Sequence, residues 1–164
     1  MNNSGGQNTF KGINTQAKAS LLLFLMNLQN QDFDSVVLED RNWEDFTLCF
    51  KSGKKIIVES KDWERTLSWG EIKSILSKIL RRDSPIKDND EIIIICRSVN
   101  KELESNVEYL KYRLPYSVGL YKKHGFSTKQ IDLLSRVKFF KIKPENLDVD
   151  SDDYLYHEAL VYFS

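Results

Sequence analysis

The run of four isoleucines from Ile92 to Ile95 constrains the fold of this chain more than any other feature. Successive side chains of a strand point to opposite faces of a sheet, so an unbroken apolar run predicts a strand that is covered on both faces. Residues 56–58 form a second apolar run of this kind. The sequence therefore predicts a central sheet with a layer on each face, in which residues 90–96 form the central strand.

Capping signals and apolar periodicity indicate the helices that would cover this sheet. Ser68 and Ser127 each stand three residues before Glu or Gln, which is the spacing of a capping box at a helix start. Residues 101–114 repeat leucine and valine at helical spacing. The fold class is therefore α/β, with a mixed central β-sheet flanked by helices. A first helix spans residues 13–28, with a sheet-facing stripe of Ile13, Ala17, Leu21, Phe24, Leu25 and Leu28.

Four segments outside the isoleucine run are also predicted to be strands, and one of them, residues 43–50, alternates polar and apolar residues. Residues 35–39 and 137–142 are the first and last of these strands. Residues 43–50 and 54–61 are predicted to pair as a hairpin, with Ser52-Gly53 as its turn.

The hairpin carries three charged residues at a spacing that suits phosphodiester chemistry. Asp45 lies opposite to the phenylalanine face of its strand, and Glu59 and Lys61 share one face of the next strand, about 6.6 Å apart. Two carboxylates about 4 Å apart repel by about 4 kcal/mol at an effective dielectric of about 20, and a bound cation would relieve this. Mg²⁺, with Mn²⁺ as a substitute, prefers oxygen ligands. Asp45 and Glu59 are the predicted metal ligands, and Lys61 would hold the attacking water.

The same residues have a purely structural interpretation, because Glu-x-Lys on an exposed strand commonly forms a cross-strand charge pair. Glu39 ends the first predicted strand and would either add a metal ligand or pair with a nearby lysine. Asp40 or Glu44 would take the place of Asp45 if the strand register differed by one residue.

The order of helix, acid, strand, Glu-x-Lys and helix resembles the PD-(D/E)xK nuclease superfamily, in which an acidic residue opens one strand and the tripeptide lies on the next. Asp45 and Glu59-Ser60-Lys61 match those positions, although Glu44 stands where the motif often has proline. The resemblance implies a restriction-endonuclease-like core and Mg²⁺-dependent hydrolysis of DNA. It also implies that Asp45, Glu59 and Lys61 are the catalytic residues.

The flanking residues resemble the N-terminal nuclease effector domains of bacterial antiphage defence proteins. This similarity extends over residues 5–80 and includes residues 5–6, 12–16 and 36–40. Many such domains carry glutamine where this chain has Glu59. The resemblance implies an effector that is activated by oligomerisation through downstream modules. It also makes Gln16 a neighbour of the metal site, for which the alternative is a surface amide.

Charge is unevenly distributed along the chain, although 24 Lys and Arg residues balance 24 Asp and Glu residues. Residues 51–82 contain nine basic and four acidic residues, whereas residues 144–164 contain six acidic residues and no Lys or Arg. The predicted site therefore lies in the basic part of the chain, where a DNA backbone needs positive charge. The predicted nucleic-acid contacts are Lys54, Lys55, Arg65 and Lys73.

Three features outside the predicted site have more than one interpretation. Trp63 and Trp69 flank the connection after the Glu-x-Lys strand and would either pack in the core or stack on a base. Lys122-Lys123-His124 lies in a segment that no pattern assigns, and it is either a solvated loop or a phosphate contact. His124 and His157 each lack a spaced partner, so both are predicted to be structural or exposed.

Length and composition predict one globular domain in a soluble, cytoplasmic protein without a membrane span. We expect a flexible tail at residues 1–11, a nuclease-like domain at residues 12–143, and an acidic segment at residues 144–164 that leads to further domains. Cys49 and Cys96 fall in predicted strands and are expected to be buried free thiols.

Two rival functions would use the same fold. A catalytically inactive nucleic-acid-binding or assembly module would keep the fold without binding metal. An RNA-cleaving nuclease would use the same residues, because the metal chemistry addresses the phosphate rather than the sugar.

Overall fold

The computed structural model describes residues 21–38, 45–61, 65–81, 86–112 and 116–141. The predicted tail at residues 1–11 and the acidic segment at residues 144–164 lie outside the described residues. Within the described ranges, the elements are α1 (residues 21–28), β1 (Phe33–Leu38), β2 (Asp45–Phe50), β3 (Lys55–Ser60), β4 (Thr66–Leu67), α2 (Trp69–Ile79), β5 (Glu91–Cys96), β6 (Ser98–Val99), α3 (Lys101–Lys111), α4 (Tyr116–Lys123), α5 (Thr128–Leu134) and β7 (Val137–Lys141).

Five strands form one mixed sheet in the order β1-β2-β3-β5-β7. The first three pair antiparallel, whereas β3 with β5 and β5 with β7 pair in parallel. The predicted α/β class, a mixed central sheet flanked by helices, is confirmed. The prediction that the isoleucine strand is central is wrong, because β3 holds that place and β5 lies beside it. Both strands are covered on two faces, so their composition does not distinguish them.

The sheet separates two hydrophobic clusters, as the apolar runs require. One face of β3 and β5 presents Ile57 and Ile94 to a cluster that includes residues of α2, α3 and α5. The other face presents Val58 and Ile95 to a cluster that includes Leu23 of α1 and apolar residues of β2. Each fully buried side chain of this size contributes roughly 1.5–3 kcal/mol. Burial on both faces therefore stabilises the position of β3 at the centre.

Helix α1 is rotated about its axis relative to the prediction. Leu21, Leu25 and Leu28 were expected to face the sheet, but they are exposed by 55%, 50% and 50%. Leu23 is fully buried instead, in the cluster that α1 shares with β2. Residues 21–26 are apolar throughout, so two adjacent stripes are available to the helix. Contact with the sheet selects between them, and periodicity alone does not.

The predicted helix starts are confirmed at both capping boxes. The hydroxyls of Ser68 and Ser127 accept hydrogen bonds from the N–H groups of Glu71 and Gln130, whose side chains accept from the cap residues in return. Helix α4 occupies the segment that no sequence pattern assigned. Its residues lack a capping box and a clear apolar stripe, which explains why the sequence did not indicate it.

Both cysteines are free thiols, as predicted, but the prediction that both are buried is confirmed only for Cys96 and is wrong for Cys49. Cys49 is half-buried on β2, whereas Cys96 is buried at the end of β5. Burial raises the pKa of the Cys96 thiol to about 12. The two thiols should therefore differ in reactivity.

We expect brief treatment of the native protein with iodoacetamide at pH 8 to label Cys49 well before Cys96. The thiolate is the reactive form, so the raised pKa and the loss of access should slow alkylation of Cys96 by roughly tenfold or more. Mass spectrometry of proteolytic peptides measures both rates in one sample. In guanidinium the two thiols should react at similar rates, which is the control. Equal labelling in the native protein would contradict the burial of Cys96.

Candidate functional site

Glu59 is a fully buried carboxylate near the end of the central strand. It is the fifth residue of β3, and its side chain is 0% exposed. It lies on the same face of the strand as Ile57, which packs in the cluster containing residues of α2. A buried carboxylate costs several kcal/mol unless charged or hydrogen-bonding groups compensate for the lost water. A glutamate on a solvent-exposed strand would not have this desolvation cost.

Lys78 of α2 provides one compensating charge. Its Nζ lies 3.4 Å from Oε2 of Glu59, while its side chain remains 52% exposed. A lysine can keep its ammonium group near water while its aliphatic stem packs against the protein. The buried carboxylate is thus linked to the surface through a half-exposed cation. Lys78 was not among the predicted site residues.

The strand register places Asp45 directly opposite Glu59. The two residues are paired in the antiparallel ladder of β2 and β3, and the pairing continues with Phe46 opposite Val58. Directly opposed residues of such a ladder lie on one face, with Cα atoms about 4.5–5.5 Å apart. The predicted hairpin and its register are confirmed, so the positions of Asp40 and Glu44 are not needed as substitutes.

Lys61 follows the end of β3 and extends its pairing by one residue. The Lys61 N–H donates to the carbonyl of Ile95 at 3.0 Å, so the chain still runs beside β5 at this point. Two residues after Glu59, Lys61 falls on the same side of the strand and is half-buried. The intervening Ser60 is buried, and its hydroxyl has no hydrogen-bond partner within the described part of the chain.

Lys54 and Lys55 lie at the opposite end of β3 from the acidic pair. Lys55 and Glu59 are four positions apart along the strand, which corresponds to about 13 Å. Lys54 and Lys138 both contact Glu91, each at 2.7 Å. Burial would raise the pKa of Glu91, but hydrogen bonds and charge from Lys138 and Lys54 hold it below its usual value. Lys54 therefore has a structural partner, and its predicted nucleic-acid contact would lie away from Glu59.

The other predicted residues are distributed around α2 or lie outside the described ranges. Arg65 is exposed in the connection between β3 and α2. Lys73 is half-buried on α2, and its ammonium group lies over the turn at Gly125. Gln16 and Glu39, the two predicted supporting residues, lie outside the described residues, as does His157.

The donor set at the acidic pair suits a hard divalent cation. Mg²⁺ is usually bound by one or two carboxylates together with waters and substrate phosphate, rather than by a cage of protein ligands. Asp45 and Glu59 provide two carboxylates at opposed positions. Within the described ranges, no group of three or more His, Cys, Asp or Glu side chains gathers as a metal site. Asp45 and Glu59 would hold such a cation with waters completing its coordination.

No helix in the described part of the chain is long and apolar enough to cross a membrane.

Solved structures with the same fold are known, although sequence comparisons find no match. No family model and no curated protein matches the chain. The described fold is similar to a Cap4 SAVED/CARF-domain containing receptor from Moraxella osloensis, with a TM-score of 0.62 and 19% identity over 93% of this chain. A second receptor of that description, from Acinetobacter baumannii with the cyclic trinucleotide 2'3'3'-cAAA, gives a TM-score of 0.56 and 18% identity over 90% of the chain.

The likeness to these structures shows which fold this chain has. The chain covers 38% of the Moraxella osloensis receptor and 33% of the Acinetobacter baumannii receptor, so it spans well under half of either chain. At this identity, the likeness establishes a mixed α/β domain that also occurs within larger receptor chains.

We expect Glu59 and Lys78 to be coupled in the stability of the metal-free protein. A double-mutant cycle with Glu59→Gln and Lys78→Met should give a coupling free energy of about 1–3 kcal/mol, because the carboxylate is buried. Urea unfolding followed by circular dichroism measures the four stabilities. The exposed pair Glu108 and Lys111 on α3 is a matched control, which should give less than about 1 kcal/mol. A coupling no larger than that of the control pair would mean that Lys78 does not compensate the buried charge.

Proposed function

We propose that this chain is a metal-dependent nuclease domain that hydrolyses DNA phosphodiester bonds. The observation that carries the proposal is the fully buried carboxylate of Glu59, opposed in the strand register by Asp45 and followed on the same side by Lys61. Burial of a carboxylate is costly, and a cation site is a function that makes use of it. The resemblance to the PD-(D/E)xK superfamily in these three residues supports the same interpretation.

In the proposed mechanism, the carboxylates of Asp45 and Glu59 would bind the metal ion. Lys61 and Lys78 would offset negative charge on the phosphate and on Glu59. Asp45 and Glu59 would hold Mg²⁺ or Mn²⁺, which supplies Lewis acidity and lowers the pKa of a bound water. Lys61 would orient the attacking water and offset negative charge that develops on the phosphate. Lys78 would neutralise Glu59 before metal arrives. Because its side chain is half-exposed, Lys78 would also be able to contact a substrate phosphate.

We also propose that the domain acts in antiphage defence as part of a longer protein. The matched receptors extend well beyond the shared fold, since this chain covers only 38% and 33% of them. That arrangement suits a nuclease-like domain at residues 12–143 whose activity depends on oligomerisation through further modules. The resemblance of the flanking residues to defence effector domains supports this proposal.

A second candidate function is the binding of a cyclic oligonucleotide. It is favoured by the cyclic trinucleotide held by one of the matched receptors. A receptor domain for such a ligand needs cations around phosphates and does not need a buried acidic pair. The position of Glu59 therefore favours the nuclease, and direct binding of the trinucleotide tests the alternative.

Cleavage of DNA with Mg²⁺ or Mn²⁺ tests the proposed function. Lys61→Met should reduce the cleavage rate by roughly 100-fold or more while metal still binds, because it removes a group that acts on the transition state. Asp45→Asn and Glu59→Gln should abolish both metal binding and cleavage. Lys111→Met on α3 is the matched control and should cleave as the unaltered chain does. Plasmid, single-stranded DNA and RNA substrates assayed in parallel separate a deoxyribonuclease from a ribonuclease.

Two calorimetric titrations distinguish the rivals when the isolated chain cleaves slowly. Uptake of Mn²⁺ that Glu59→Gln abolishes is expected for the nuclease. Binding of 2'3'3'-cAAA without such uptake would favour the receptor function instead. Absence of metal uptake, together with unaltered DNA binding in Asp45→Asn, would leave the inactive nucleic-acid-binding module.

A further inference from the structure

Trp69 and His124 form a parallel stack of rings at the start of α2. The ring centroids are 4.5 Å apart, and the planes differ by 8°. Trp69 also makes edge contacts with Tyr121 and Phe126, at centroid distances of 5.7 Å and 6.0 Å. Tyr121 and Phe126 are buried, whereas Trp69 and His124 are both half-buried. Trp69 therefore contacts two buried rings and also stacks on an imidazole that is partly exposed to solvent.

The turn after α4 fixes the imidazole in this position. Gly125 has a φ of 72°, a conformation that glycine adopts without strain. Its N–H donates to the carbonyl of Lys122 at 2.9 Å, which closes the turn directly around His124. A Cβ at Gly125 would meet Nζ of Lys73 at 2.8 Å. The backbone turn, the stack and the lysine of α2 are thus packed against one another.

Four lysines lie on the segments that carry this stack or adjoin it in sequence. Lys122 and Lys123 precede His124 and are exposed, as is Lys129 in the first turn of α5. The ammonium group of Lys73 lies over the turn. Within the described part of the chain, no ion pair involves any of the four. The surface therefore offers positive charge that no described carboxylate neutralises.

The nearby acidic residues are engaged in local structure. Glu71, two residues after Trp69, accepts hydrogen bonds from the N–H and hydroxyl of Ser68 at 2.8 Å and 2.6 Å. Asp132 of α5 pairs with Arg136 at 2.6 Å. Neither carboxylate is directed at the lysines by these contacts. Among the described residues, the charge around the stack is therefore positive on balance.

We propose that the Trp69–His124 stack is a binding platform for an unpaired base of a single-stranded nucleic acid, with its phosphates held by Lys73, Lys122 and Lys123. A base can stack on the outer face of an imidazole, and such stacking is tolerant of sequence because every base has a π face. Lysines beside the platform would contact the adjoining phosphates. A base within a duplex is already stacked on both sides, so the platform selects single strands or frayed ends.

Helix α2 connects this platform to the acidic pair. Trp69 begins the helix, and Lys78, which contacts Glu59, lies nine residues later. Nine residues of α-helix rise by about 14 Å, which is roughly four nucleotide steps at 3.4 Å per step. A strand with one phosphate beside Glu59 would thus reach the platform within a few nucleotides. This inference rests on the proposed nuclease function for the role of the bound strand, but the binding itself does not.

The test is the affinity of a fluorescently labelled 12-nucleotide single-stranded DNA, measured by anisotropy in EDTA with Glu59→Gln protein. His124→Ala should weaken binding about fivefold or more, the lower end of the effect of losing one base stack. His124→Phe should keep the affinity, because it retains an aromatic face. Lys122→Gln with Lys123→Gln should reduce the slope of log K against log salt by about 1.4. A duplex of the same sequence should bind more weakly.

Lys101→Gln with Lys111→Gln on α3 is the matched control and should leave affinity and salt slope unchanged. Equal weakening by His124→Ala and His124→Phe, or no weakening by either, would overturn the platform. Tighter binding of the duplex than of the single strand would also contradict the platform. So would binding of 2'3'3'-cAAA at the platform in place of the single strand. Because EDTA and Glu59→Gln remove cleavage from the assay, loss of His124-dependent binding and failure of the nuclease proposal are separate outcomes.

Discussion

The arrangement of the candidate site depends on the burial of the Glu59 carboxylate. The residue can be fully enclosed only because β3 is the central strand, with β2 on one side and β5 on the other. Helix α2 closes the face above it and brings Lys78 to 3.4 Å. The same antiparallel register that lets β2 bury its phenylalanines opposes Asp45 to Glu59. Packing and the acidic site therefore share one set of constraints.

The carboxylates at the two ends of β3 and β5 differ in their burial and in their contacts. At the start of these strands, Glu91 is clamped between Lys54 and Lys138, and the buried Asp90 accepts the N–H groups of Lys55 and Lys87 at 2.8 Å each. Those contacts satisfy the carboxylates and hold loops in place. At the other end, Glu59 is more deeply buried and has a longer contact to a half-exposed lysine. The two ends therefore differ in how deeply the carboxylate is buried and in the length of its lysine contact.

Local signals in the sequence were sufficient for most of the fold. The capping boxes at Ser68 and Ser127, the turn at Gly53 and the apolar runs each act within a few residues, so they can be recognised without tertiary information. Helix α1 is different, because its uninterrupted apolar segment allows two orientations and only contact with the sheet selects Leu23. Helix α4 carries no such signal.

The site was predictable in part for the same reason. Asp45, Glu59 and Lys61 are separated by one hairpin, so strand pairing brings their positions together. Lys78 lies 19 residues beyond Glu59 on a helix, and its position near the helix end already suits a cation. The stack of Trp69 on His124 joins residues 55 positions apart. No spacing in the sequence encodes these two contacts, which arise from how α2 and the turn after α4 pack.

An anomalous difference map from crystals grown with Mn²⁺ shows whether Asp45 and Glu59 hold the cation, because it locates the metal without requiring turnover. We predict a peak between Asp45 and Glu59, within about 2.5 Å of a carboxylate oxygen from each. We also expect Nζ of Lys78 to lie farther than 3.4 Å from Glu59 in the metal-bound crystal. A well-ordered acidic pair without a peak at saturating Mn²⁺, or carboxylates that diverge to opposite faces of the sheet, would contradict the proposed metal site.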